Sequence, residues 1–320
     1  MKVMKEGCTN LLIDRMKNIF RTVLLMFVVG HLQSCKQDPK VELEPEETIR
    51  NPISKKVRLN SNLNISVLID LSDRIDPQKH PSPAMEFYMR DIGYLESVVE
   101  SFEWHLLNKK VNQIDDKIQV FIDPEPSDQT LNKKVAELKT HFTKVDVDKD
   151  SILRVSNKYG TISKTIYEAA IADNNYVGSD IWGFFKNKVD DYCVDEGYRN
   201  ILVILTDGYM FHKDSKMEED NQTSYIIPQL IQKNGLNKSD WQKRFDEKDF
   251  GFIVPKKDLS NLDVLVLGIN PVKGNPYEED VIRAYWSKWF GELKVNDFEI
   301  KQADLPSHMD KIIRDFILKK

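Results

Sequence analysis

Two apolar segments that end in acidic residues constrain the fold of this chain more than any other feature. The first runs from Ile65 to Ile69, carries no charge and consists mostly of β-branched or aliphatic residues. Such a run is typical of a strand buried on both faces, as in a parallel sheet covered by helices. Asp70, Ser72 and Asp73 follow it, and their oxygens indicate a site at the carboxyl end of the strand. The same residues are also typical of a helix N-cap, and this segment alone favours neither interpretation.

A second segment repeats the arrangement. Ile201–Leu205 is apolar and is followed by Thr206-Asp207-Gly208, where the glycine permits a tight or left-handed turn. Strands alternate with helices along the rest of the chain, which predicts an α/β fold: a doubly wound, mostly parallel sheet with helices on both faces. The further predicted strands are 117–122, 262–269 and an edge strand at 295–300, and the predicted helices are about 84–108, 131–142, 161–172, 180–192, 278–290 and 305–318.

The segment 209–259 separates two of these strands by about fifty residues, which is long for a connection without secondary structure. We therefore expect an insertion that is partly helical, at 225–233 and 238–245. It begins directly after Asp207-Gly208, so Tyr209 becomes a candidate for a ligand-facing surface; packing against the insertion is the alternative for this residue.

The order of three motifs resembles the von Willebrand factor A domain. The motifs are Asp70-x-Ser72 after the first strand, Gly160-Thr161 in a predicted polar loop before a helix, and Thr206-Asp207-Gly208 after the later strand. The resemblance covers a domain at 63–320 and implies a Rossmann-like architecture with a metal-ion-dependent adhesion site. By this resemblance the metal ligands are Asp70, Ser72, Thr161 and Asp207, and the cofactor is Mg²⁺, or Mn²⁺ or Ca²⁺ in its place.

Arg74 departs from the motif, because the family has a second serine at this position. A guanidinium offers donors and no acceptor, so it cannot coordinate a cation. It either pairs with Asp70 or Asp207 and fills the space of the ion, or points away while Asp73 or Asp76 supplies the missing oxygen. Mg²⁺ takes about six oxygens, several of which can be water, so the loss of one hydroxyl need not abolish binding.

The amino terminus predicts a bacterial lipoprotein. Residues 1–34 combine a basic segment, an apolar core too short to span a bilayer comfortably, and the ending Gln33-Ser34 before Cys35. This resembles a lipoprotein signal peptide with lipid attached to Cys35; an uncleaved anchor or a coincidental cysteine are the alternatives. Residues 35–62 hold several prolines and charges and predict a flexible tether. The expected location is the cell envelope, lipid-anchored, on the periplasmic or the outer side.

The function predicted from these features is binding of a protein partner, with Arg74, Asp73 and Tyr209 as candidate contacts. The net charge of −5 gives no indication of a nucleic-acid partner. No nucleophile elbow, phosphate-binding glycine loop or zinc signature is present in the sequence, so an enzyme is not favoured. Two alternatives remain open: a metal-dependent hydrolase that uses Asp70 and Asp207, and a metal-free scaffold in an envelope complex.

Overall fold

A six-stranded sheet forms the centre of the domain in the computed structural model, which describes residues 61–176 and 178–319. The predicted signal peptide, Cys35 and all but the last two residues of the predicted tether lie outside these ranges. The sheet consists of β1 (Asn62–Ile69), β2 (Asp115–Ile122), β3 (Lys139–Thr143), β4 (Tyr198–Leu205), β8 (Leu262–Ile269) and β9 (Asp297–Gln302). These strands lie in the order β3-β2-β1-β4-β8-β9, and all neighbours are parallel except the antiparallel pair β2 and β3.

Helices cover both faces of this sheet, because successive strand residues point to opposite sides and both sides are apolar. In β1, Val67 belongs to the core under one helical layer and Leu68 to the core under the other. The α/β doubly wound prediction is therefore confirmed. The helices are α1 (Phe87–Leu107), α2 (Gln129–Glu137), α3 (Lys149–Leu153), α4 (Val155–Asp173), α5 (Ile181–Asn187), α6 (Val189–Cys193), α7 (Pro228–Lys233), α8 (Trp241–Glu247), α9 (Glu278–Glu292) and α10 (Pro306–Ile317).

The prediction of one helix over 131–142 is wrong. Helix α2 ends at Glu137, and the residues after it form β3, which pairs with β2 from Gln119 to Asp115. The run Thr140-His141-Phe142-Thr143 has the β-branched and aromatic residues that strands favour, and this preference prevails over the helical spacing of the preceding residues.

The segment 209–259 carries secondary structure of its own, as expected. It contains α7, α8 and a small sheet of β5 (Glu218–Glu219), β6 (Gln222–Thr223) and β7 (Gly251–Phe252). Phe252 packs against Tyr285 and Trp289 of α9, which fixes the insertion to one face of the main sheet. Within the described ranges, no helix is both long and apolar enough to cross a membrane.

Candidate functional site

The predicted site lies where β1 and β4 end side by side. The backbone N–H of Asp70 donates to the carbonyl of Leu205 over 3.0 Å, so the two strands are still joined at the point where they leave the sheet. From β1 the chain passes to β2 on one side, whereas β4 lies on the other side. The crevice above β1 and β4 is therefore the topological switch point at which ligands bind in open α/β sheets.

Asp70 uses both carboxylate oxygens within the protein. Oδ1 accepts from the Ser72 N–H at 2.8 Å, and Oδ2 accepts from the Thr206 hydroxyl at 2.9 Å. The residue is 1% exposed. Asp70 and Thr206 thus bridge the two strand ends directly, so Thr206, which was part of the motif but not among the predicted ligands, is a residue of the site.

Arg74 points into the site and not away from it. It is 5% exposed, and its Nη2 lies 2.9 Å from the Asp70 carbonyl, 2.9 Å from the Leu205 carbonyl and 2.6 Å from Asp91 Oδ2. Its Nε lies 3.5 Å from Asp70 Oδ2. Burial lowers the pKa of Arg74, but the charges of Asp91 and Asp70 outweigh burial and hold that pKa above its ordinary value. Arg74 is therefore a buried cation whose contacts lie within the domain, and its contact with a partner stays a prediction.

Asp91 and Tyr167 complete the cluster from the helical layer. Asp91, on the first turns of α1, is 2% exposed and also accepts from the Tyr167 hydroxyl of α4 at 3.0 Å. Burial raises the pKa of the Asp91 carboxyl, whereas Arg74 and the Tyr167 hydrogen bond oppose that change. The sequence carried a signal for this residue: Asp91 shares the buried helical face of Leu95 and Val98. A carboxylate on an apolar face requires a buried counter-charge.

Asp207 begins a tight turn at the end of β4. Its Oδ1 accepts from the Tyr209 N–H at 3.0 Å, and Gly208 has φ +97, which favours glycine. The Trp286 indole donates to the Gly208 carbonyl at 2.9 Å and holds the turn against α9. Burial and the charge of Asp70 raise the pKa of Asp207 from 3.8 to about 7, although the residue retains some solvent exposure.

Tyr209 crosses from this turn to the start of α9. Its hydroxyl donates to Glu278 Oε1 at 2.6 Å and accepts from the Val272 N–H at 3.0 Å. Burial and the Glu278 carboxylate raise the pKa of Tyr209. The tyrosine is therefore partly buried and held at both ends, while Asp73 on the other side of the site is exposed.

Thr161 does not join the other predicted ligands. The prediction of a polar loop at Gly160-Thr161 is wrong, since both residues lie inside α4, and Thr161 is exposed. The α4 residue that reaches the site is the buried Tyr167, six positions later, which places Thr161 about 9 Å back along the helix axis. Because α4 begins at Val155, Gly160 and Thr161 lie almost two turns before Tyr167, the part of the helix that faces the strand ends.

The donor set does not fit a divalent cation. The Asp70 oxygens are taken by Ser72 and Thr206, the guanidinium of Arg74 lies against this carboxylate, and Asp76, buried, accepts from the Gln78 N–H. In the part of the chain that the structure describes, no three His, Cys, Asp or Glu side chains are grouped to hold a metal. A cation at this position would meet a fixed positive charge at short range, which is unfavourable in a buried site.

A cavity of about 300 Å³ opens beside the site. Leu71, directly after Asp70, forms part of its wall together with Ile122 at the end of β2 and His212 of the insertion. Its carboxylates outnumber its cationic side chains: Asp123, Glu125, Asp128, Asp173 and Asp214 line it, with Lys213. The concave part of this surface is therefore acidic.

No family model and no curated protein matches the chain in sequence. Among solved structures, the conserved hypothetical protein BatB of Bacteroides thetaiotaomicron aligns with 81% of this chain and 98% of its own, at 13% identity and a TM-score of 0.35. An aerotolerance-related membrane protein of Bacteroides fragilis aligns with 81% of this chain and 100% of its own, at 14% identity and a TM-score of 0.38. The pilus adhesin SpaC of Lactobacillus rhamnosus GG aligns with 80% of this chain and 30% of its own, at 10% identity and a TM-score of 0.37. Because these identities and TM-scores are low, the fold is assigned from the strand order and the helical layers described above.

Proposed function

We propose that this chain is a lipid-anchored protein of the bacterial cell envelope whose von Willebrand factor A-like domain binds a protein partner without a divalent cation. The anchor is supported by the signal-like residues 1–34 and by Cys35. The binding surface is supported by its place at the switch point of the sheet, where α/β folds collect ligands.

The observation that carries the proposal is the buried position of Arg74. Its guanidinium supplies, as part of the fold, the positive charge that a cation would supply to Asp70. It also ties Asp91 of α1 to the carbonyls at the ends of β1 and β4. The strand ends are thereby held in one arrangement before any partner arrives, and a preorganised surface loses less free energy on binding.

The contacts for the partner lie around this cluster and not within it. Asp73 is exposed on one side, and Tyr209 and Phe211, which is 38% exposed, lie on the insertion side. Leu71 and His212, which line the acidic cavity, lie close in sequence to Asp73 and Phe211 respectively. A partner with basic and apolar side chains would match this surface in charge and in polarity.

Site-specific photo-crosslinking in the native host tests the proposal. A photoreactive phenylalanine analogue replaces Asp73 in one strain and Tyr209 in another, and a third strain carries it at Lys311, an exposed position on α10. We expect a covalent adduct of defined mass at Asp73 and Tyr209 but not at Lys311. The adduct should persist in cells permeabilised with a chelator, because the positive charge of the site belongs to the Arg74 side chain, which a chelator cannot remove.

Two results would contradict the proposal in different ways. An adduct that disappears with the chelator would show that the surface needs a divalent ion. Adducts that are equally abundant at all three positions, or absent from all three, would show that the strand ends are not the binding surface.

A further inference from the structure

Large apolar side chains are exposed at the end of the domain opposite the site, where the strands begin. Trp104 is 42% exposed and Leu107 43% exposed; they lie one turn apart near the end of α1. Val111, 60% exposed, begins the short 3₁₀ helix that follows. Clustered exposed apolar residues, unlike scattered ones, mark an interaction surface.

Two further residues come to the same end. Val145, 86% exposed, follows β3 by two residues, and β3 ends with Thr143 opposite Asp115, the first residue of β2. Leu153, 49% exposed, ends α3, which packs against α1. Five of the eight most exposed large apolar side chains in residues 61–176 and 178–319 are therefore at this end. We name Trp104, Leu107, Val111, Val145 and Leu153 the apolar end patch.

The chain also enters the domain here. Asn62 is the first residue of β1, and its Oδ1 accepts from Lys109 Nζ at 2.6 Å. Lys109 lies between Leu107 and Val111 in the sequence, so the start of the domain is bonded to the segment that carries the patch. The predicted tether therefore joins the domain at the end that exposes apolar residues.

The number of residues before the domain limits its distance from the proposed anchor. About 26 residues lead from Cys35 to Ser61, and a random-coil chain of that length has a root-mean-square span of about 25–30 Å. A domain restrained to this distance meets the membrane surface at high effective concentration, so even a weak patch would be engaged. Tryptophan favours the boundary between water and lipid, where its ring is apolar and its N–H is hydrated.

The charges of this end are mixed. Lys110, Lys144 and Arg154 are exposed, and so are Asp146 and Asp148. Opposite charges at similar density give little net attraction to anionic lipid. The apolar side chains would have to supply the attraction, and it should depend little on salt.

We propose that the apolar end patch rests on the surface of the membrane that anchors the chain, so that the carboxyl ends of the strands face away from it. This inference rests on the lipid anchor of the proposed function. It gives the domain an orientation in which Asp73 and Tyr209 point toward partners and the tether does not pass over them.

Fluorescence quenching by lipid tests the contact in the full-length protein. The chain is reconstituted into vesicles of phosphatidylethanolamine and phosphatidylglycerol that contain brominated phosphatidylcholine, which quenches tryptophan at the membrane surface. Trp104 is the most exposed of the five tryptophans: Trp182, Trp286 and Trp289 are buried, and Trp241 is half-buried. A Trp104→Phe protein gives the background, and mass spectrometry of the same samples shows whether Cys35 carries lipid.

Val111→Glu and Val272→Glu are matched variants. Both replace an exposed valine outside the α-helices by glutamate. Val111 lies in the apolar end patch, and Val272 lies at the opposite end of the domain, after β8. We expect quenching of Trp104 in the native chain and in Val272→Glu, unchanged by added salt. In Val111→Glu the contact should be on the order of tenfold less populated, since apolar contact is lost and a charge is gained.

Each outcome decides the inference. Quenching that Val111→Glu alone reduces supports it. A lipidated native chain without quenching of Trp104, or with quenching that both variants reduce equally, overturns the orientation and leaves the anchor standing. A chain without lipid on Cys35 refutes the anchor and this inference together.

Discussion

Replacement of Arg74 by methionine should strongly destabilise the domain. Methionine keeps most of the apolar volume but removes the guanidinium, and Asp91 at 2% exposure then has no cationic partner. The Leu205 carbonyl still accepts from the Asp70 N–H, so the main loss is the counter-charge and not a backbone bond. Removal of one member of a buried ion pair costs about 3–5 kcal/mol, and we expect a loss of that size in the free energy of unfolding.

A double-mutant cycle separates the lost ion pair from lost packing. Asp91→Asn keeps an acceptor for the Tyr167 hydroxyl but removes the charge, and the pair Arg74→Met with Asp91→Asn contains neither charge of the pair. The double variant should be more stable than Arg74→Met alone, with a coupling energy of about 2 kcal/mol or more between the two positions. Urea titrations followed by tryptophan fluorescence and by circular dichroism give all four stabilities. A cost below about 1 kcal/mol for Arg74→Met, or additive effects, would refute the role assigned to Arg74.

The same geometry determines the expected effect of three single substitutions. Asp207 has a pKa raised from 3.8 to about 7, so between these values the folded state holds a proton that the unfolded state has released, and stability falls as pH rises. Because solvent screens part of this effect, Asp207→Asn should be more stable than the native chain by about 1–2 kcal/mol at pH 8 and equal to it near pH 4; equal denaturation curves at both pH values would contradict this. Gly208→Ala should cost about 1–3 kcal/mol, because φ is +97 and a Cβ would lie 2.7 Å from side-chain atoms of Ile269 and Ile282; an unchanged melting temperature would count against the turn as described. Thr161→Ala should change the free energy of unfolding by less than about 0.5 kcal/mol and leave the crosslinks at the strand ends unchanged. Loss of those crosslinks would show that Thr161 belongs to the site.

The buried strands could be predicted because they depend on the local pattern of apolar residues. Ile65–Ile69 and Leu262–Ile269 are uninterrupted apolar runs, and such runs in an alternating α/β sequence have few other solutions. The end of α2 and the start of α4 could not be placed in this way. At 139–143 and 155–160 the residues suit more than one local structure, and pairing with β2 or packing on α1 decides between them.

The candidate site could be predicted only in part. Asp70 and Asp207 follow their strands directly, so strand ends that lie side by side bring them together whatever the rest of the chain does. Asp91 and Tyr167 come from helices whose rotation and position depend on the whole core, and motif spacing carries no information about that. The departure at Arg74 was visible in the sequence, and the apolar face around Asp91 indicated a buried counter-charge, but nothing in the sequence paired the two residues.

Calorimetry with Mg²⁺, Mn²⁺ and Ca²⁺ tests whether a divalent cation binds at the strand ends. The titrations use the chain from residue 36 to 320, beside the Asp207→Ala and Arg74→Ser variants. We expect no saturable heat from the native chain with any of the three ions, because the guanidinium of Arg74 already pairs with Asp70 and Asp91. Saturable binding to the native chain that Asp207→Ala abolishes would contradict it, and would show that a divalent ion and Arg74 share the strand ends.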